Sequence, residues 1–140
     1  MPSKHVSFRM DSQVFERLER RGRQAGRRRP ELINRYIDEG LRMEDHPGIH
    51  FRSGPAGRRP ALVDGPDVWE VIRVVRNVEA TGERALEEAA QWLGLGRDRV
   101  EAALRYYADY GTEIDDWIAR VDEEADRAHR TWMRRQSALE

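Results

Sequence analysis

The sequence has no cysteine, so neither a disulfide framework nor a thiolate zinc site can hold it together. It has no apolar run near the roughly 20 residues that span a bilayer. The opening Met1-Pro2-Ser3-Lys4-His5 lacks the apolar core of a secretory signal. These absences lead us to expect a soluble, cytoplasmic chain with no membrane partner. Net charge is -1 with the four histidines neutral, so no global excess of one sign points to a polyanionic or polycationic partner. The usual marks of an active site are missing too. There is no cysteine nucleophile, no phosphate-cradling loop and no spaced cluster of metal ligands. Asp45, His46 and His50 lie close together, but no third and fourth ligand follows at fixed spacing. Asp115 and Asp116 are adjacent, so they cannot share one helix face. The expectation is a protein that is not an enzyme and needs no cofactor or metal.

What is present is an uneven distribution of charge in a chain long enough for one ordinary domain or two small ones. Seven arginines fall at Arg17, Arg20, Arg21, Arg23, Arg27, Arg28 and Arg29, with Glu19 the one acid among them. Asp115, Asp116, Asp122, Glu123, Glu124 and Asp126 crowd the other end. A basic front and an acidic rear predict two surfaces with two partners, or two solvated helix faces.

The front has a readable order of elements. Val6, Phe8 and Met10 alternate with His5, Ser7 and Arg9, the period of a half-buried strand. Asp11 or Ser12 is placed to cap a helix carrying Val14, Phe15 and Leu18, with Gly22 and Ala25 further along and Gly26 at its end. Pro30 and Glu31 suit the first turn of a second helix, which continues through Leu32, Ile33, Tyr36, Ile37, Gly40 and Leu41. A lone strand cannot satisfy its edges, and about 45 residues make a poor core. Two chains that pair their strands antiparallel and interlock their helices remove both problems, so a homodimer is expected on physical grounds.

The run Val-Ser-Phe-Arg-Met-Asp-Ser-Gln-Val-Phe-Glu-Arg-Leu-Glu from Val6, the Gly26 turn and Glu31-Leu32-Ile33 resemble the ribbon-helix-helix (Arc/MetJ/CopG-like) family, over roughly Lys4 to Met43. In that family the paired strands enter the DNA major groove. The resemblance implies that His5, Ser7 and Arg9 face bases while Val6, Phe8, Met10, Val14, Leu18, Leu32, Ile33, Tyr36 and Ile37 form the core. Arg9 ranks first as a reader because a guanidinium can bond bidentately to guanine O6 and N7. Relatives place Ser or Thr before the second helix, where its amides hold a phosphate. Here Arg27-Arg28-Arg29 occupies that stretch, so phosphate contact is assigned to these arginines and the hydroxyl cap is absent.

Asp45-His46-Pro47-Gly48 should break the second helix. Ile49-His50-Phe51-Arg52 and Pro60-Ala61-Leu62-Val63 predict two short strands around Gly54-Pro55-Ala56-Gly57. Helices are expected from Asp67 to Val78, from Glu83 to Leu93, and from Asp98 after a Gly94-Leu95-Gly96 turn; the last two have helix-turn-helix spacing. The stretch from His46-Pro47-Gly48-Ile49 through Asp67-Val68-Trp69-Glu70-Val71 to Val100–Tyr107 resembles domain-of-unknown-function family 433. Members of that family occur in VapB-type antitoxins, whose partners are PIN-domain ribonucleases. Such a domain could read DNA, dimerise or carry a toxin.

Gly111-Thr112 is expected to end one helix and start another, with a capping arrangement from Thr112 to Asp115. Ile114, Trp117, Ile118 and Val121 form an apolar stripe, thinned to Ala125, Ala128 and Trp132. This segment either docks on a partner or packs on its own domain. For docking, the candidates are Ile114, Trp117, Ile118, Arg120, Val121, Arg127, Arg130 and Trp132, the arginines by the antitoxin analogy. The predicted architecture is therefore mostly α with short β elements. It comprises a ribbon-helix-helix dimer (1–45), a hairpin and helix-turn-helix-like domain (46–111) and an amphipathic C-terminal helix (112–140). The function expected is an antitoxin that binds operator DNA, represses its own operon and silences a PIN-domain toxin, or a stand-alone ribbon-helix-helix regulator. Assembly of such dimers into tetramers is left open.

Overall fold

A computed structural model describes residues 2–140. The chain is mostly helical with one short antiparallel hairpin, and it divides into two compact units between Arg42 and Met43.

The first unit holds α1 (Ser12–Ala25) and most of α2 (Arg29–Asp45). Asp11 starts α1: its Oδ1 accepts from the amides of Gln13 at 3.0 Å and Val14 at 3.2 Å, two of the donors a helix start leaves unpaired. Gly26 ends it in the left-handed region (φ 62°), which a side chain would disfavour. At Gly22 an added Cβ would lie 3.1 Å from the Arg27 carbonyl oxygen and 3.5 Å from Leu32 Cδ1. The small residue thus lets the chain turn back closely on α1. Residues 3–10 carry no regular hydrogen-bonded structure within the single chain.

The second unit continues with β1 (Ile49–Gly54), β2 (Gly57–Leu62), α3 (Val68–Asn77), α4 (Glu83–Leu93) and α5 (Arg97–Leu139). β1 and β2 pair from Ile49 opposite Leu62 to Gly54 opposite Gly57. The ladder therefore runs to the turn, further than the apolar pattern of the two strands alone predicts. Pro60 is tolerated within β2 because a two-stranded ribbon leaves each strand an edge that needs no donor. Ile49, Leu62, Val68, Val71, Ile72, Leu86, Ala89, Val100, Ala103 and Tyr106 form the core, where hairpin and helices bury their apolar faces together.

The backbone leaves helical geometry at Tyr110 (φ -127°, ψ 31°) and resumes at once, so α5 is two helical segments meeting at a kink. The expected break lay one residue later, at Gly111. Tyr110 packs at 4.7 Å (ring centroids) against the buried Tyr106. Beyond the kink, Ile114 and Ile118 enter the core. The stretch from residue 112 is therefore not a separate segment at its start. Its first two turns belong to the second unit because their apolar residues complete that unit's core.

Candidate nucleic-acid interface

His5, Ser7 and Arg9 are all exposed, as are Arg17, Arg20, Arg21, Arg23, Arg27, Arg28 and Arg29. Two of the three arginines assigned to phosphate already have partners. Arg29 donates to Glu19 Oε1 at 2.7 Å and lies 4.5 Å over the Phe15 ring. Arg27 is 3.9 Å from Glu31, a loose pair between exposed groups worth little in water. Arg28 is exposed at the entry to α2, and its carbonyl accepts from the Leu32 amide at 3.2 Å. The start of α2 thus combines a helix dipole with exposed guanidinium groups, although Pro30 in its first turn has no amide hydrogen to offer an anion.

The apolar residues of this unit are distributed unevenly. Leu18 and Leu32 are buried, and Met10 and Ile33 are partly buried. Val6 and Phe8 are 72% and 62% exposed, and Val14, Tyr36, Ile37 and Leu41 are exposed as well. Six exposed apolar side chains around two buried ones leave the first unit with more unburied than buried core. The two residues it buries and the five it exposes among the nine expected core positions share one pattern: α1 and α2 close on each other, and the alternating segment closes on nothing in the same chain.

In the second unit the charged groups are engaged internally. Asp67, at the start of α3, is 5% exposed. Its carboxylate accepts from Arg59 Nε at 2.5 Å and from Trp69 Nε1 at 3.0 Å, and Arg52 Nε lies 3.2 Å away. One carboxylate therefore ties both hairpin strands to α3. His46, buried at 8%, faces Asp109 Oδ2 at 2.8 Å and meets Tyr106 and Tyr110 edge-on. Among the described residues, no group of three or more His, Asp or Glu is placed to hold a metal. Neither the Asp67 hub nor the His46–Asp109 pair is visible in local sequence, because the partners lie up to 63 residues apart.

The α4–turn–α5 element mixes acids and arginines, with Arg99 and Arg105 on the same helix as Asp98 and Glu101. Arg97, in the first turn of α5, is paired with both Glu83 and Glu87 of α4, while Asp98 and Glu101 are exposed beside it.

Of the residues expected to dock a partner, Ile114 (3% exposed) and Ile118 (8%) are buried in the chain's own core, which corrects that assignment. Trp117 is half-buried at the edge of a cleft of roughly 660 Å³ lined also by Arg59, Pro60, Trp69 and Arg120, with Arg120 4.8 Å over its ring. Val121 is half-buried, and Arg120, Arg127, Arg130 and Trp132 are exposed. Asp115 is not engaged as a helix cap. It accepts from Tyr107 Oη at 2.8 Å and pairs with Arg76. The Tyr107 hydrogen bond first, and Arg76 second, hold its pKa below the usual carboxylate value; the bond to Asp115 raises that of Arg76. With Arg73 paired to Asp122, these contacts clamp the second segment of α5 onto α3. No family model, no curated protein and no solved structure matches this chain.

Proposed function

We propose that the protein is a sequence-specific DNA-binding regulator that acts as a homodimer through a ribbon-helix-helix module at its N-terminus. The observation that carries this reading is the unfinished core of the first unit. Val6, Phe8, Val14, Tyr36 and Ile37 are exposed in one chain, and pairing of residues 5–10 with a second copy would cover them. The same pairing sets His5, Ser7 and Arg9 on the opposite, outward face of a two-stranded ribbon, the shape that enters a major groove. The arginines around the start of α2 then supply the sequence-independent attraction to phosphate. The protein is proposed to bind DNA without catalysing a reaction.

A second reading adds a toxin partner: an antitoxin that represses its own operon and silences a PIN-domain ribonuclease. The exposed Trp132, which shares a groove with Arg127, Arg135 and Glu124, favours it as an aromatic anchor. The loss of Ile114 and Ile118 to the core shortens that docking face, so the stand-alone regulator is the better supported of the two.

Selection from a random duplex library with full-length protein tests the main reading. Enrichment of an inverted repeat, bound by two chains with affinity falling steeply as salt rises, is the expected result. Enrichment of no sequence, with equal affinity for all duplexes, would remove it. Co-purification with, and inhibition of, a nuclease encoded beside this chain would move the assignment to the antitoxin.

A further inference from the structure

The cleft of roughly 660 Å³ beside Trp117 plays no part in the DNA-binding reading. Its volume lies in the range of small-molecule sites, about 300–1,000 Å³. Pro60 and Trp69 reach it from β2 and α3, and Glu113, Asp116, Trp117 and Arg120 from the second segment of α5. Those four positions of α5 are spaced i, i+3, i+4 and i+7, so a single helix face lines the cleft.

Both indoles are held in place by the protein itself. Trp69 Nε1 donates to the buried Asp67 carboxylate at 3.0 Å, and Arg73 lies 5.0 Å over the Trp69 ring. Trp117 rests by the hairpin turn, where a Cβ added at Gly57 would be 3.9 Å from its ring. The two tryptophans are only half-buried, so each offers aromatic surface that a planar apolar group would remove from water.

The charges around the cleft narrow the choice of ligand. Arg59 is held by Asp67, Arg58 donates to Ser53 Oγ at 3.0 Å, and Glu113 is engaged within the chain. Asp116 and Arg120 differ from these. They stand one helical turn apart with the acid first, the order that favours an ion pair, yet they do not pair with each other. Arg120 lies over the Trp117 ring instead, and Asp116 has no ion-pair partner among the described residues. A simple anion entering the cleft meets a carboxylate beside the guanidinium, and a simple cation meets the reverse. A zwitterion answers both. Side chains at this spacing start about 5–6 Å apart, within reach of an ammonium and a carboxylate carried by one small molecule. We propose that the cleft binds an aromatic α-amino acid, free or as a short peptide with both termini free. Its ring packs on Trp69 and Trp117, its ammonium pairs with Asp116 and its carboxylate with Arg120. The site lies wholly in the second unit and does not rest on the DNA-binding reading.

Calorimetric titration of the full-length protein tests this. Phenylalanine should bind saturably, once per chain, with a dissociation constant of about 1 mM or tighter. Phenethylamine, 3-phenylpropionate and alanine lack the carboxylate, the ammonium and the ring in turn, and each should bind about tenfold more weakly. Asp116→Asn should bring phenylalanine down to the level of 3-phenylpropionate, and Arg120→Gln down to that of phenethylamine. Both residues are exposed, so the urea unfolding midpoints should match wild type and separate lost binding from lost fold. Phenylalanyl-phenylalanine distinguishes the two sources: tighter binding than phenylalanine assigns the site to a short peptide, weaker binding to the free amino acid. No saturable binding of either would overturn the proposal. So would equal binding of all the aromatic analogues, or affinities unchanged in both variants. A second measurement locates the ligand. Of the four tryptophans, Trp92 and Trp132 do not line this cleft, so a Trp92→Phe/Trp132→Phe protein reports from Trp69 and Trp117 alone. Phenylalanine should change that fluorescence with the calorimetric dissociation constant, and binding heat with no change in fluorescence would place the ligand elsewhere and refute the assignment.

Discussion

Replacing Phe8 by Ala separates a finished monomer from half of a dimer. In one chain Phe8 is 62% exposed, and an exposed apolar residue contributes within about 0.5 kcal/mol of an average surface position. If the alternating segment pairs with its copy, each Phe8 becomes core. Full burial of such a side chain is worth about 2 kcal/mol, and a homodimer contains it twice, so the variant should lose about 4 kcal/mol of dimerisation free energy. At about 1.4 kcal/mol per decade this is about a thousandfold rise in the dimer dissociation constant. Sedimentation equilibrium over a broad concentration range measures it. The second unit should keep its unfolding midpoint, because Phe8 lies outside it. A dimer dissociation constant unchanged within about threefold would contradict the paired-strand core, since a residue that makes no new contact cannot stabilise an interface.

Other outcomes follow from the same geometry. Arg9→Ala should cost about 1–3 kcal/mol of discrimination between the selected duplex and random DNA, while Arg28→Ala should weaken both and lower the salt slope by about one; competition titrations at several salt concentrations distinguish them, and equal losses for Arg9→Ala would end its role as a base reader. Asp67→Ala leaves Arg52 and Arg59 without their buried carboxylate and should lower stability by about 2–4 kcal/mol in urea unfolding, with the partners' partial exposure keeping the loss below that of a fully buried pair. Ile118→Ala should cost about 2–5 kcal/mol because it opens a cavity in the second core, whereas Trp132→Ala should leave the unfolding midpoint almost unchanged; equal effects would contradict the division of α5 into a buried and an overhanging part. Asp115, with its pKa held low by Tyr107 and Arg76, contributes stability that is present above the unfolded carboxylate value and lost as pH falls through its folded value. Melting curves of wild type and Asp115→Asn should therefore differ at neutral pH, begin to converge only below the unfolded value of about 3.9 and meet below the lowered folded value, and a gap that persists below it would assign the effect to packing.

Helix ends and turns are legible from the chain alone. Asp11, Gly26, Pro47-Gly48, the glycines around the hairpin and Gly94-Leu95-Gly96 act through their own backbone preferences, so neighbours a few residues away suffice to place them. The basic cluster from Arg17 to Arg29 follows from composition in the same way, whereas the alternation of Val6, Phe8 and Met10 with His5, Ser7 and Arg9 is not resolved into two faces within one chain, where residues 2–9 are all exposed. Which apolar stripe finds a partner within the chain is instead settled by tertiary packing. Ile114, Ile118 and Trp132 lie on one helical seam, yet the second unit's core takes in the first two and leaves the third exposed. Packing also set Asp67 between Arg52, Arg59 and Trp69 and brought His46 to Asp109. The difference is one of range: capping and turn energies act over three or four residues, whereas burial and buried ion pairs depend on distant segments meeting, and no local pattern encodes which segments those are.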